Sequence, residues 1–221
     1  MSQKPGQFKQ KITRTLQLNY LLYLPDGYDQ DTDRQWPLIL FLHGAGERGD
    51  DVQMLKVTGL PKTLEETAIP FVVVSPQCPV QESWYDHVDA VDLLLKQIIA
   101  DYRVDPGRVY LTGLSMGGFG SWRLGTLWPE RFAAVVPICG GGHWAYGFPE
   151  RVCDMKDTPT WVFHGAKDDT VPLQMSQELV DTLKACGGNV KFTIYPEADH
   201  DSWTETYNNP EVYDWLLSHK R

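Results

Sequence analysis

The sequence lacks the features that mark metal-binding, secreted, membrane-spanning or nucleic-acid-binding chains. Its four cysteines, Cys78, Cys139, Cys153 and Cys186, lie far apart and form no CxxC pair, so no metal or redox motif is expected. The reading they suggest is four free thiols in a reducing cytosol, and hence a cytoplasmic location, with a disulfide between two of them as the open alternative. No apolar run approaches the ~20 residues that a membrane-spanning helix needs. Residues 1–10 are polar, without the charged start and apolar stretch of a secretory signal. Basic residues are the minority, 20 against 29 acidic for a net charge of −9, and they form no stripe. Nucleic acid and anionic membrane are therefore not expected partners. Internal repeats, low-complexity tracts and linker-like Gly/Pro clusters are also missing.

What is present suits a folded core. At 221 residues and 42% hydrophobic, the chain can bury enough surface for one domain. Residues 1–221 are therefore read as a single domain, with 1–17 as an N-terminal extension or edge strand. Strand and helix patterns alternate along it, which predicts an α/β architecture: a mainly parallel central sheet with helices on both faces. Strands are predicted at 18–24, 36–42, 71–75 (stopping at Pro76), 108–112, 133–139, 160–163 and 190–195. The run at 36–42 is apolar throughout, as in strands buried on both faces. Between 86 and 102, Val88, Val91, Leu94, Leu95, Ile98, Ile99 and Tyr102 recur at spacings of three and four, which predicts a helix. Further helices are predicted at 116–127, 176–186 and 210–218, and one somewhere in 52–67. Asp105-Pro106-Gly107 reads as a turn.

The strongest local signal is Gly113-Leu114-Ser115-Met116-Gly117, a G-x-S-x-G pentapeptide between a predicted strand and a predicted helix. That setting is the one a nucleophile elbow requires. The flanking glycines let strand and helix approach, and the serine hydroxyl is left at the positive end of a helix. The spacing does not match the glycine patterns of dinucleotide or P-loop sites.

A serine needs an adjacent base to act as a nucleophile, and after such an elbow the order along the chain is Ser, acid, His. His200 has the correct order and lies just past the last strand. The acid is Asp168 or Asp169, in a loop after the strand ending at Phe163; Asp199 and Asp201 stand too close in sequence to reach the imidazole in line. The small residues of His43-Gly44-Ala45-Gly46 follow a buried strand and can present backbone N–H groups to a substrate oxygen. The N–H of Met116, next to the nucleophile, is the expected second donor. His43 reads as a structural residue that pins this loop, and Glu47–Arg48 as a local ion pair, with contact to substrate as the alternative.

Taken together, His43-Gly44-Ala45-Gly46, the Ser115 pentapeptide, His164-Gly165-Ala166-Lys167-Asp168-Asp169-Thr170-Val171-Pro172 and Asp199-His200 resemble the small α/β-hydrolases. More narrowly, the chain is similar to the phospholipase/carboxylesterase and dienelactone-hydrolase-like group, including its predicted-peptidase branch. The resemblance runs from about residue 18 to the C-terminus. It implies that the acid of the H-G-x-x-D-x-x-V-P pattern is Asp168 and that the loop donor to the oxyanion is Ala45. Dienelactone hydrolases use Cys as nucleophile, so Ser115 favours ester hydrolysis.

The expected activity is therefore a serine carboxylesterase with a Ser115–His200–Asp168 triad, needing no metal or other cofactor and acting on a small-molecule ester. A thioesterase or peptidase using the same residues is the alternative, and a non-catalytic binding protein a more distant one. Residues 140–159 are too few for a large lid domain. That segment carries Trp144, Tyr146 and Phe148. With Trp84 and Trp203, Trp144 is a candidate substrate contact, which suits short-chain, small aromatic or sugar esters.

Overall fold

The run of apolar residues at 36–42 becomes β2 (Trp36–Leu42), every residue of which is buried. Side chains alternate across it. Leu38, Leu40 and Leu42 enter one core, while Ile39 and Phe41 enter the core on the opposite face, as the period of a strand requires. The computed structural model describes residues 3–221. Residues 3–18 carry no helix or strand and are largely exposed, so this stretch is an extension and not an edge strand. The first two residues of the predicted extension lie outside the described residues.

Around β2 lies a seven-stranded sheet in the order β1-β3-β2-β4-β5-β6-β7. Its other strands are β1 (Asn19–Tyr23), β3 (Val72–Gln77), β4 (Val104–Leu114), β5 (Ala134–Ile138), β6 (Thr160–Gly165) and β7 (Val190–Tyr195). Only β1 runs antiparallel, pairing with β3; the remaining pairs are parallel. Helices α2 (Val88–Asp101), α3 (Met116–Leu127) and α4 (Leu173–Ala185) supply Val91, Leu94, Ile98, Trp122, Leu179 and Leu183 to one core. The short helices α1 (Gly59–Thr63), α5 (Trp203–Tyr207) and α6 (Pro210–Leu217) supply Leu60, Tyr207, Val212 and Leu216 to the other. This is the α/β-hydrolase fold. Because β2 and β4–β7 are parallel, the loops after Leu42, Leu114, Ile138, Gly165 and Tyr195 leave the same edge of the sheet, where ligands of such folds bind.

Several boundaries differ from those predicted, each for a physical reason. β3 continues through Pro76 to Gln77. Its parallel partner β2 reaches only Val74, while Pro76 lies opposite Tyr20 of β1, so the absent proline N–H costs no bond on the β2 side. The Asp105–Gly107 turn exists, but inside β4. Trp36 pairs with Val104 and Leu38 with Val109, and the Asp105 side chain accepts the Gly107 N–H at 2.9 Å within that insertion. The helix expected in 52–67 divides into a 3₁₀ turn at Val52–Val57 and α1.

The cysteines also correct the reading. Cys153 and Cys186 are joined by a disulfide, with Cα atoms 5.9 Å apart; Cys78 and Cys139 are free and buried. Sequence separation hid this pairing because β6 and α4 fold back between the two positions. The bond ties the 3₁₀ turn Glu150–Met155 to the residue that ends α4. The cytoplasmic expectation rested on four free thiols and loses that footing. Among the described residues no helix is long and apolar enough to cross a membrane.

A covalent loop of this length is worth about 3–4 kcal/mol in the chain-entropy view. Reduction, or Cys153→Ser, is expected to lower the unfolding free energy by about 2–4 kcal/mol in urea titrations; unchanged stability would contradict the pairing.

Candidate active site

β4 ends at Leu114, and the chain turns at Ser115 with φ 51° and ψ −117° before entering α3. Few residues other than glycine occupy this region, and holding one there costs on the order of 1–3 kcal/mol. The surroundings impose it. The Ser115 N–H donates to the Ile138 carbonyl at 3.0 Å, and the Ser115 carbonyl accepts the Phe119 N–H at 3.0 Å. A Cβ at position 117 would collide with the Leu42 carbonyl, and one at position 113 with the Gly117 carbonyl. Glycine is needed at both positions for the end of β2 and the start of α3 to meet. Met116 is the first residue of α3, so its N–H has no partner within the helix and contributes to the helix's positive end.

Two residues distant in sequence reach this hydroxyl. His200 Nε2 lies 3.0 Å from Ser115 Oγ, and His200 Nδ1 lies 2.7 Å from Asp168 Oδ2. With Nδ1–H donating to the carboxylate, the Nε2 lone pair faces the serine. The carboxylate is itself fixed: Oδ1 accepts the N–H groups of Thr170 at 2.9 Å and Val171 at 2.8 Å. Asp169 is exposed; of the two aspartates, Asp168 is the one that meets the imidazole. Asp199 accepts the Asp201 N–H, and Asp201 in turn accepts from Thr204 at the start of α5.

His164 precedes Asp168 by four residues in the chain. It is fully buried at the end of β6. Its Nε2–H donates to the Val171 carbonyl at 2.8 Å and lies 3.2 Å from Asp168 Oδ2, while Nδ1 sits 2.8 Å from the Ser176 hydroxyl. Burial lowers its pKa, partly offset by the Val171 carbonyl and the Asp168 charge. His164 thus buttresses the Asp168 carboxylate. The only trace of this in the sequence is its place in the H-G-x-x-D pattern.

The loop after β2 is held by His43, which is also fully buried. Its Nδ1–H donates to the Gly44 carbonyl at 2.5 Å, and Nε2 accepts the Cys78 N–H at 2.9 Å. An imidazole that accepts at one nitrogen must be neutral. Desolvation pushes its pKa down to about 4, against the Gly44 carbonyl, which raises it. Ala45 begins a 3₁₀ turn (Ala45–Glu47), so its N–H, like that of Met116, has no partner within its own turn.

Trp84 is not a cleft residue: it is wholly buried, its ring packs edge-on against His43, and its N–H donates to the His43 carbonyl at 3.0 Å. The expected Glu47–Arg48 ion pair is also replaced. Arg48 donates to the carbonyls of Ala45 and Glu82, and the buried Glu47 carboxylate lies 3.9 Å from His43. Trp203 stands against His200, with ring centroids 5.3 Å apart, and is anchored by its N–H to the Thr58 hydroxyl at 2.8 Å. Trp144 is 81% exposed and stacks on His143, beside a Tyr85–Tyr146 stack.

Residues 72–211 match the phospholipase/carboxylesterase family model, a span that includes Ser115, Asp168 and His200 but not the loop at 43–46. The chain is 31% identical over 123 residues to poly(3-hydroxyalkanoate) depolymerase C of Paucimonas lemoignei, covering 48% of this chain and 28% of that protein. It is 26% identical over 198 residues to a probable feruloyl esterase C of Aspergillus niger, covering 85% and 68%. Among solved structures, a thermostable esterase superposes with a TM-score of 0.78 at 35% identity, covering 92% of this chain and 60% of that one. The chain thus spans about a quarter of the depolymerase and 60% of the solved esterase.

The neutral His43 makes stability depend on pH. Its pKa in the fold lies below the ordinary value of 6.5, so the unfolded chain takes up a proton first as pH falls. Stability is therefore full above about pH 6.5 and declines towards pH 4, by up to about 3 kcal/mol from this group. Urea melts at pH 7 and pH 4.5 should show a smaller loss in His43→Gln than in the unaltered protein; equal losses would contradict this origin.

Proposed function

The chain belongs to the phospholipase/carboxylesterase family of ester hydrolases, and on that premise we propose that it is a serine esterase acting on short-chain, small aromatic or sugar esters through an acyl-enzyme on Ser115. The observation that carries this reading is the unbroken line of hydrogen bonds from Ser115 Oγ through His200 to Asp168. In it, Ser115 Oγ attacks the ester carbonyl as its proton passes to His200 Nε2. Asp168 holds the imidazole in the receptive tautomer and balances the imidazolium. The N–H groups of Ala45 and Met116 stabilise the oxyanion, where one such donor is worth about 10²–10³ in rate. His200 then protonates the leaving alcohol, and water repeats the sequence on the acyl-enzyme. No step calls for a metal or other cofactor.

Two features support a small substrate. The segment between β5 and β6 carries only two short 3₁₀ turns, Trp144–Tyr146 and Glu150–Met155, which leaves no body of protein to cover a long acyl chain. Trp203 at the His200 ring and the exposed Trp144 offer flat apolar surfaces suited to aromatic acids or sugar rings. The names of the Aspergillus feruloyl esterase and the hydroxyalkanoate depolymerase agree with an ester of a short or aromatic acid.

A nitrophenyl ester series from acetyl to palmitoyl tests both halves. The expected kcat/KM is highest for short acyl groups and falls beyond medium length, and Ser115→Ala lowers kcat by at least about 10³-fold. A maximum at long chains would overturn the substrate class. Full activity in Ser115→Ala would overturn the mechanism.

A further inference from the structure

The cysteine spacing predicted no metal site, yet the fold assembles three ligand types at one point. β5 ends at Ile138, and the next residue, Cys139, adopts a positive φ of 39°. One ligand atom each from Cys139, Asp168 and His200 all lie within 4.8 Å of one another. Cys139 is fully buried, and burial keeps it as the protonated thiol. Beside it lies the fully buried hydroxyl of Ser202, whose polar neighbour is the Cys139 sulfur itself. The mechanism proposed above uses neither Cys139 nor Ser202.

We propose that Cys139, Asp168 and His200 form an inhibitory site for a thiophilic divalent cation, of which Zn²⁺ and Cd²⁺ are the natural probes. Around a tetrahedral zinc, sulfur, nitrogen and oxygen ligands sit roughly 3.3–3.7 Å apart. Binding therefore needs the ligand atoms, now within 4.8 Å of one another, to settle at those spacings, with the Nδ1–Oδ2 pair, now 2.7 Å apart, opening to admit the ion. The ion approaches over the imidazole, whose side chain is 21% exposed.

The proton balance explains the inhibition. The Cys139 S–H proton leaves to solvent, and the thiolate and the Asp168 carboxylate together neutralise the dication. The metal takes the Nδ1 position where His200 now carries its proton. The neutral ring's single proton then resides on Nε2, so the nitrogen facing Ser115 can no longer accept the serine proton. Nothing is oxidised or reduced. Metal binding does not depend on the esterase reading, whereas the inhibition rests on the role proposed for His200.

The test is a Cd²⁺ titration of the protein with its Cys153–Cys186 disulfide intact, which leaves Cys78 and Cys139 as the only thiols. The readouts are the ultraviolet thiolate-to-cadmium charge-transfer band and ester hydrolysis, each variant being compared with its own metal-free rate. The expected result is a band saturating at one cadmium per chain, together with inhibition that EDTA reverses. Both should persist in Cys78→Ser. In Cys139→Ser the band should vanish and the half-inhibiting concentration rise at least tenfold; Cys139→Ala serves if serine is not accommodated. No band in the unaltered protein, or a band and inhibition unchanged without Cys139, would overturn the site. A Cys139-dependent band with no loss of hydrolysis would overturn the inhibitory role and count against His200 as the base. A protein without esterase activity would still be tested for the site by the band alone.

Discussion

The turn at Ser115 is the constraint on which the rest of the site depends. A non-glycine residue with φ 51° is held there because β4 and α3 must meet at the edge of the sheet, against the end of β2. Gly113 and Gly117 are the residues that let those backbones touch. The same approach places the start of α3 beside the loop after β2, so that the hydroxyl and the N–H groups of Met116 and Ala45 share one side of the sheet. The cost of the strained backbone is offset by the buried core on both faces, and its return is a hydroxyl that no regular strand or helix would present.

Around that point, positioning is hierarchical. Asp168 aims one carboxylate oxygen at His200 and fixes the other with two backbone N–H groups. His164 supports that carboxylate from the end of β6, and Ser176 on α4 supports His164. The imidazole of His200 is braced by Trp203, which is anchored to Thr58 beside α1. Each side chain in direct line with the serine thus has a buried or anchored neighbour limiting its rotation. Such support is what keeps a reacting geometry within a fraction of an ångström.

Much of the fold was legible because burial writes a strong pattern. β2 needs apolar residues on both faces, and its boundaries match the predicted run at 36–42. α3 and α6 start where the elbow and Pro210 require them to. What was illegible depended on contacts between distant segments. α1 and α5 are five residues each, too short for a helical period to show. The passage of β3 through Pro76 depends on which strand ends first beside it. Trp84 reads like any loop tryptophan until the His43 loop closes over it. The Cys153–Cys186 bond, the His164 support and the convergence of Cys139 on His200 all depend on where neighbouring strands end, which no local window contains. The residues read as Ser, acid and base were accessible by other routes: the glycine pattern of the elbow pointed to Ser115, chain order to His200, and the resemblance to the H-G-x-x-D-x-x-V-P pattern to Asp168.

The central claim is that the hydroxyl of Ser115 becomes covalently acylated during turnover. Intact-protein and peptide mass spectrometry after rapid acid quench of the enzyme with a slowly deacylating nitrophenyl ester tests it directly. The account predicts a mass increment equal to one acyl group, located on the peptide containing Ser115. Turnover with no acyl adduct, or with the adduct on another residue, would contradict it.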